Sequence, residues 1–247
     1  MSSSLLSAFL LVALASTQPR GFDVASIKER PPEKGLFKGM TFQVTPTSVT
    51  ATGTLGAFVM HAYSLQPGLL KGMPSGTSST LYNLTAKTDQ ASSKEEILAM
   101  LRTLLTDRFS LKVHRETREV SYMALTAGGA RSKLKPRDPD AMDPDPVDEV
   151  FHFRRLSDVT LMLAAWMGDT VIDETGISGD FEMTVDVRHA NTSQYSDGPI
   201  RGGVDALIAM REMLTHEFER QLGFKLERRK GPLEVLVVDQ ASRPTEN

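Results

Sequence analysis

Two stretches of this chain repeat one another. Residues 101–126 read LRTLLTDRFSLKVHRETREVSYMALT and residues 214–239 read LTHEFERQLGFKLERRKGPLEVLVVD. At a spacing of 113 positions Lys112 meets Lys225, Leu111 meets Phe224, Val113 meets Leu226, Arg115 meets Arg228, Val120 meets Leu233 and Leu125 meets Val238. Upstream, Tyr82-Asn83-Leu84-Thr85 resembles Phe181-Glu182-Met183-Thr184 at a spacing of 99, and residues 55–59 resemble 159–163 at 104. Three blocks in the same order imply a duplicated unit. The spacing changes only across loops, where insertions are tolerated.

Each unit has the same secondary-structure pattern. Apolar spacing predicts short helices over 54–64 and 157–167, followed by strands over 69–73 and 170–173. Alternation then places Tyr82, Leu84 and Ala86 on one face of a strand, and Phe181, Met183, Val185 and Val187 on the equivalent face of another. Ser93-Lys94-Glu95-Glu96 forms a capping box that opens a longer helix carrying Ile97, Met100, Leu101, Leu104 and Leu105. Its partner spans about 204–221 and stops at Gly223. Each unit is expected to close with a hairpin, turning at Glu116–Glu119 in the first and at Lys230-Gly231-Pro232 in the second.

The expected class is therefore α+β. It consists of two tandem related units, each helix–strand–strand–helix–hairpin, with antiparallel sheets carrying helices packed on one face. The boundaries are 16–129 for the first unit, 130–149 for an acidic, Pro-rich linker and 150–247 for the second. Residues 22–28 and 41–52 add strands ahead of the first unit, with Pro46-Thr47 as a turn. A polar loop rich in Gly, Ser and Asn covers 189–203.

Residues 5–15, LLSAFLLVALA, are apolar but too short to span a bilayer. They end in the small-x-small pattern Ala13-Leu14-Ala15, and Pro19 follows, so 1–15 is expected to be a secretory signal peptide with the mature chain beginning near Ser16. The expected location is periplasmic or secreted. The chain has no Cys, which excludes disulfides and thiolate metal sites. Its net charge of −3 offers no basic excess for a phosphate backbone, so no nucleic-acid partner is expected, nor a transmembrane span in the mature chain.

FDVASIK (22–28), LLTDRFSLKVHRETREV (104–120), VIDETGISGDFEMTVD (171–186) and RRKGPLEVLVVDQASRPTEN (228–247) resemble the expanded family of secreted acidobacterial proteins known as domain of unknown function 3738. The family usually carries Gly-Gly-Pro-x-Trp before the Tyr82 strand. This chain has Gly72-Met73-Pro74-Ser75-Gly76, without the Trp. The resemblance implies compartment and architecture and no activity.

The residues themselves offer little chemistry. His216-Glu217 begins like a zinc-protease helix, but Arg220 stands where the second His ligand belongs. Ser132-Lys133-Leu134-Lys135 matches a nucleophile motif only formally, in a polar linker. His61, His114, His152, His189 and His216 show no ligand spacing, and no cofactor is expected. Asp173 precedes Thr175-Gly176 as a turn residue would. The candidate ligand residues are the aligned pair Arg115 and Arg228, whose guanidinium groups suit a carboxylate or phosphate. The expected function is a non-enzymatic binding or interaction module whose partner is an envelope protein or an anionic small ligand. The alternatives are an envelope hydrolase with carboxylates in a cleft between the units, and a structural scaffold of the envelope.

Overall fold

The computed structural model describes residues 20–31, 41–145, 147–190 and 204–245. The expected signal peptide and most of the 189–203 loop lie outside them. The first half opens with β1 (Val24–Arg30), β2 (Thr41–Thr45) and β3 (Ser48–Thr54), followed by α1 (Leu55–Ala62), β4 (Leu70–Lys71), the single turn α2 (Ser75–Ser78), β5 (Leu81–Lys87) and α3 (Lys94–Phe109). Pro46-Thr47 is the turn between β2 and β3, which pair in antiparallel register. β1, β5, β3 and β2 form one antiparallel sheet in that order. Its inward residues, among them Val49, Ala51, Tyr82, Leu84 and Ala86, pack against Phe58 and Val59 of α1 and Leu101 and Leu105 of α3.

Both helices begin where local chemistry starts them. The Thr54 hydroxyl accepts from the Ala57 amide at 3.2 Å. The capping box forms in full: the Glu96 amide donates to Ser93 Oγ at 3.2 Å, and the Ser93 amide donates to Glu96 Oε2 at 2.8 Å. Orphan N–H groups of the first turn are satisfied reciprocally.

After α3 runs β6 (Lys112–Thr126), then β7 (Lys135–Pro136), β8 (Val150–Phe153), α4 (Leu156–Met167), β9 (Val171–Asp173), β10 (Phe181–Asp186), α5 (Val204–Leu222) and β11 (Lys225–Gln240). β7, β10 and β8 form a second antiparallel sheet. The expected linker therefore does more than separate two units. It contributes β7, buries Ala130 and holds Arg137 against Asp143 at 3.2 Å.

The expected hairpins are absent. β6 and β11 are continuous strands that pair antiparallel with each other, from Lys225↔Thr126 to Gln240↔Lys112, with one irregularity near Val238. Val235↔Glu116 and Pro232↔Glu119 place both expected turns in mid-strand. Among the described residues no third strand flanks the middle of this ribbon, so the missing N–H of Pro232 interrupts no further ladder. The third sheet, β4-β11-β6-β9, is thus mixed rather than antiparallel, because β4 and β9 add in parallel.

One face of the ribbon serves both cores. Val113, Leu236 and Val238 join the first, and Met123, Leu125 and Leu226 join the second with Val159, Leu163 and Phe218. The short strands dock at corresponding places: Met123↔Val171 and Ala124↔Ile172 for β9, Leu236↔Leu70 and Val237↔Lys71 for β4. Met123 and Leu236 are 113 positions apart, as are Ala124 and Val237. Leu84 and Met183, 99 positions apart, pair with Ala51 and Phe153, which are 102 apart. The burial patterns of α1 and α4 agree differently from the sequence alignment. Leu55, Phe58, Val59 and Ala62 match the buried Leu156, Val159, Thr160 and Leu163 at a spacing of 101, not 104.

Candidate ligand-binding cleft

The two halves meet beside the loop that follows α1. Thr170 Oγ1 donates to the Pro67 carbonyl at 2.6 Å, and the Val171 amide donates to Gln66 Oε1 at 2.7 Å. Gly68 permits this approach: its φ is +88°, and a Cβ there would lie 2.8 Å from Thr170 Oγ1. Next to this junction lies a cleft of about 780 Å³. That size falls within the range of small-molecule sites.

Both halves line it. The β2–β3 hairpin contributes Phe42, Val44, Thr45 and Pro46, and α1 with its following loop contributes Met60, His61, Ser64, Leu65, Gln66 and Pro67. The start of α3 brings Ser92, Lys94 and Leu98, and α4 brings Leu161, Ala164 and Ala165 across from the other half. Among the described residues no Asp or Glu is in this lining. Leu161 is 56 % exposed, an apolar side chain on the α4 flank that faces away from the core stripe.

His61 stacks on Phe42 with ring centroids 3.9 Å apart and planes 8° from parallel. Desolvation, and then the charge of Lys94, lower its pKa below the ordinary 6.5. The imidazole is therefore neutral at pH 7, and among the described residues Lys94 is the one charged residue of the lining. The cleft can hold an apolar body against Met60, Leu65, Leu98 and Leu161, with a flat ring pair on one wall and one cation.

A second hollow, also about 780 Å³, lies over β8 and β10. It is more polar than the first, and several of its charged and polar groups already have partners. Asp143 takes Arg137 at 3.2 Å and Arg154 at 2.7 Å, His152 Nδ1 meets Thr184 Oγ1 at 2.9 Å, and Asp158 accepts the Arg155 amide at 3.2 Å at the start of α4.

Arg115 and Arg228 lie elsewhere, on the β6–β11 ribbon. Arg115 is opposite Leu236, and Arg228 is opposite Met123, so the two share one side of the pleat. They are eight strand positions apart, roughly 26 Å at the usual rise, too far for one small anion to bridge. Arg115 pairs with Glu234, while Arg228 lies 3.4 Å from Asp169 and donates to Ser121 Oγ at 3.4 Å.

The other carboxylates and histidines have local roles. Asp173 Oδ1 accepts from the Thr175 amide and hydroxyl at 2.9 and 2.7 Å, which closes a turn. Asp186 pairs with Arg188, whose donors hold its pKa well below the carboxylate range. Glu174 takes Arg229 and the Tyr122 hydroxyl. Glu217 is buried on α5. Burial alone would raise its pKa, but hydrogen bonds from Arg220 (2.5 Å) and Gln221 (2.6 Å) bring it below the ordinary value. Among the described residues no group of three or more His, Asp or Glu could hold a metal ion, and no helix is long and apolar enough to cross a membrane.

Sequence reasoning missed the cleft because its walls are drawn from distant segments. Leu161 carried a usable signal: it is an apolar residue off the buried stripe of its helix. His61 and Lys94 carried none.

A family model described as "Protein of unknown function (DUF3738)" matches residues 56–241. The chain belongs to this family. The match begins in α1, ends just beyond β11 and includes the α1, α3 and α4 walls of the cleft. The β2–β3 wall precedes it. Searches of curated proteins and of solved structures give no match.

Proposed function

We propose that this DUF3738 chain is an exported, non-enzymatic binding module, built from two tandem related α+β units, that holds a small apolar ligand in the cleft between them. One observation carries the reading: a drug-sized apolar hollow, lined from both halves, has no carboxylate among the described residues of its lining. The matching strand registers at a spacing of 113 support duplication by crossed pairing of β6 and β11, in place of the expected hairpins. Export rests on residues 5–15 and the Ala13-Leu14-Ala15 site, and N-terminal sequencing of the native protein tests it by starting near Ser16.

The hydrolase alternative needs a carboxylic acid whose pKa is raised toward neutrality. Asp23, Asp186 and Glu217 are all shifted downward instead. Ligand capture tests the binding reading. An apolar fluorescent dye should bind the purified mature protein, and Ala165→Trp, at an exposed α4 position of the lining, should abolish the signal while the fold persists. Equal dye binding by both proteins rejects the cleft. Binding at Arg115 and Arg228 would call for an extended anionic partner, since one small anion cannot span them.

A further inference from the structure

Resting on the cleft reading, we infer that its ligand is an aromatic monocarboxylate: an apolar body with at least one flat ring and a single negative charge. Charge complementarity carries the first part. Among the described residues Lys94 is the only charged side chain in a lining otherwise made of apolar, hydroxyl and amide groups together with His61. Lys94 makes no ion pair among the described residues. It stands at the first position of α3, exposed at the edge of an apolar hollow. A neutral ligand would leave this cation without a counter-charge, and a cationic one would be repelled by it. A dianion would bring a second charge for which the lining offers no partner.

The ring requirement comes from the wall. Phe42 covers one side of the His61 imidazole in a near-parallel stack, while His61 as a whole remains exposed within the lining. A stacked pair that stays exposed in the lining of an apolar cleft is a platform for a third ring. The small Ala164 and Ala165 on α4 leave space for a flat body that larger side chains would fill.

The test uses the mature chain and four probes: 1-naphthylacetic acid, its primary amide, 1-naphthylethylamine and decanoic acid. Calorimetry should show the naphthyl acid binding about two- to fivefold more tightly than the amide, the size expected of one exposed ion pair. The amine should bind most weakly. Lys94→Met should erase the acid-over-amide preference, and Lys94→Arg should retain it. Both substitutions sit on an exposed helix position, and circular dichroism verifies the fold. The His61 ring protons should shift upfield on naphthyl binding, which a remote site would not cause.

If acid and amide bind equally, or Lys94→Met leaves the preference intact, the anionic assignment is overturned while the cleft reading stands. Tighter binding of decanoate than of the naphthyl acid overturns the ring assignment alone. If no probe binds, and the apolar dye does not bind either, both the inference and the cleft reading fall.

Discussion

Glu119 faces Pro232 across the centre of the β6–β11 ribbon, and these two residues are themselves 113 positions apart. The same spacing relates Arg115 to Arg228 and Met123 to Leu236. In the duplication proposed above, the two-fold axis relating the two strands passes through the one pair that is both opposed across the ribbon and 113 positions apart. Here that pair is Glu119 and Pro232. The arrangement lets the two long strands, one from each half, be supported by each other and by the partner half's short strand.

Ribbon pairing can be tested by cross-linking. Ser121 and Lys230 are directly opposed, and the chain has no Cys to interfere. Ser121→Cys with Lys230→Cys should lose both free thiols on mild oxidation, within one molecule. Two separate hairpins would leave these thiols apart, and free thiols after oxidation would reject the ribbon.

Gly72 docks β4 beside β11 with φ +75°, and a Cβ there would lie 2.7 Å from the Val238 carbonyl oxygen. Gly72→Ala should cost more than about 1 kcal/mol, read as a melting temperature lower by roughly 2–4 °C per kcal/mol. An unchanged melting temperature would show that the segment moves away at no cost.

Among the described residues the buried Tyr82 hydroxyl has no partner within ordinary hydrogen-bond distance, while its ring meets Phe109 edge-on at 5.3 Å. Tyr82→Phe keeps the ring and removes the unsatisfied polar atom. The variant should equal the parent or gain up to about 1 kcal/mol. A clear loss in denaturant melts would reveal a partner for the hydroxyl.

Glu217 is buried against Arg220 and Gln221, whose hydrogen bonds favour its ionised form. Since the folded pKa is below the unfolded one, its contribution is present above the unfolded value, about 4.3. That contribution fades as pH falls through the folded value. Glu217→Ala should cost about 1–3 kcal/mol at pH 7, and the gap to the parent should narrow in melts near pH 3. A gap that does not change with pH would assign the loss to packing alone.

His114 shows the opposite sign. Its hydrogen bond to Asp239 at 2.9 Å raises its pKa. The protonated form then stabilises the fold below the unfolded pKa, and the effect disappears as pH rises through the folded value. Asp239→Asn should lower the His114 titration midpoint measured by NMR and weaken the fold at pH 5 but not at pH 9. An unmoved midpoint would mean that the pair does not form in solution.

Much of the local structure was legible in the chain. Ser93 and Glu96 announced the start of α3, the alternation of Tyr82, Leu84 and Ala86 gave the inward face of β5, and Pro46-Thr47 marked a turn. These features depend on neighbours a few residues away, so local pattern suffices to read them. The α1–α4 alignment slipped by three positions because an apolar stripe recurs about every turn, and only packing shows which recurrence faces the core.

The sequence by itself determined the α+β class, the helix starts and the inward faces of the strands, because propensity, capping and periodicity act within one element. Tertiary structure alone decided that β6 and β11 pair with each other. Glu116–Glu119 and Lys230-Gly231-Pro232 are compatible with a local turn or with an exposed mid-strand, and the choice depends on a partner more than 100 residues away. It also decided the cleft, whose charge and shape arise where His61, Lys94 and Leu161 converge from three helices.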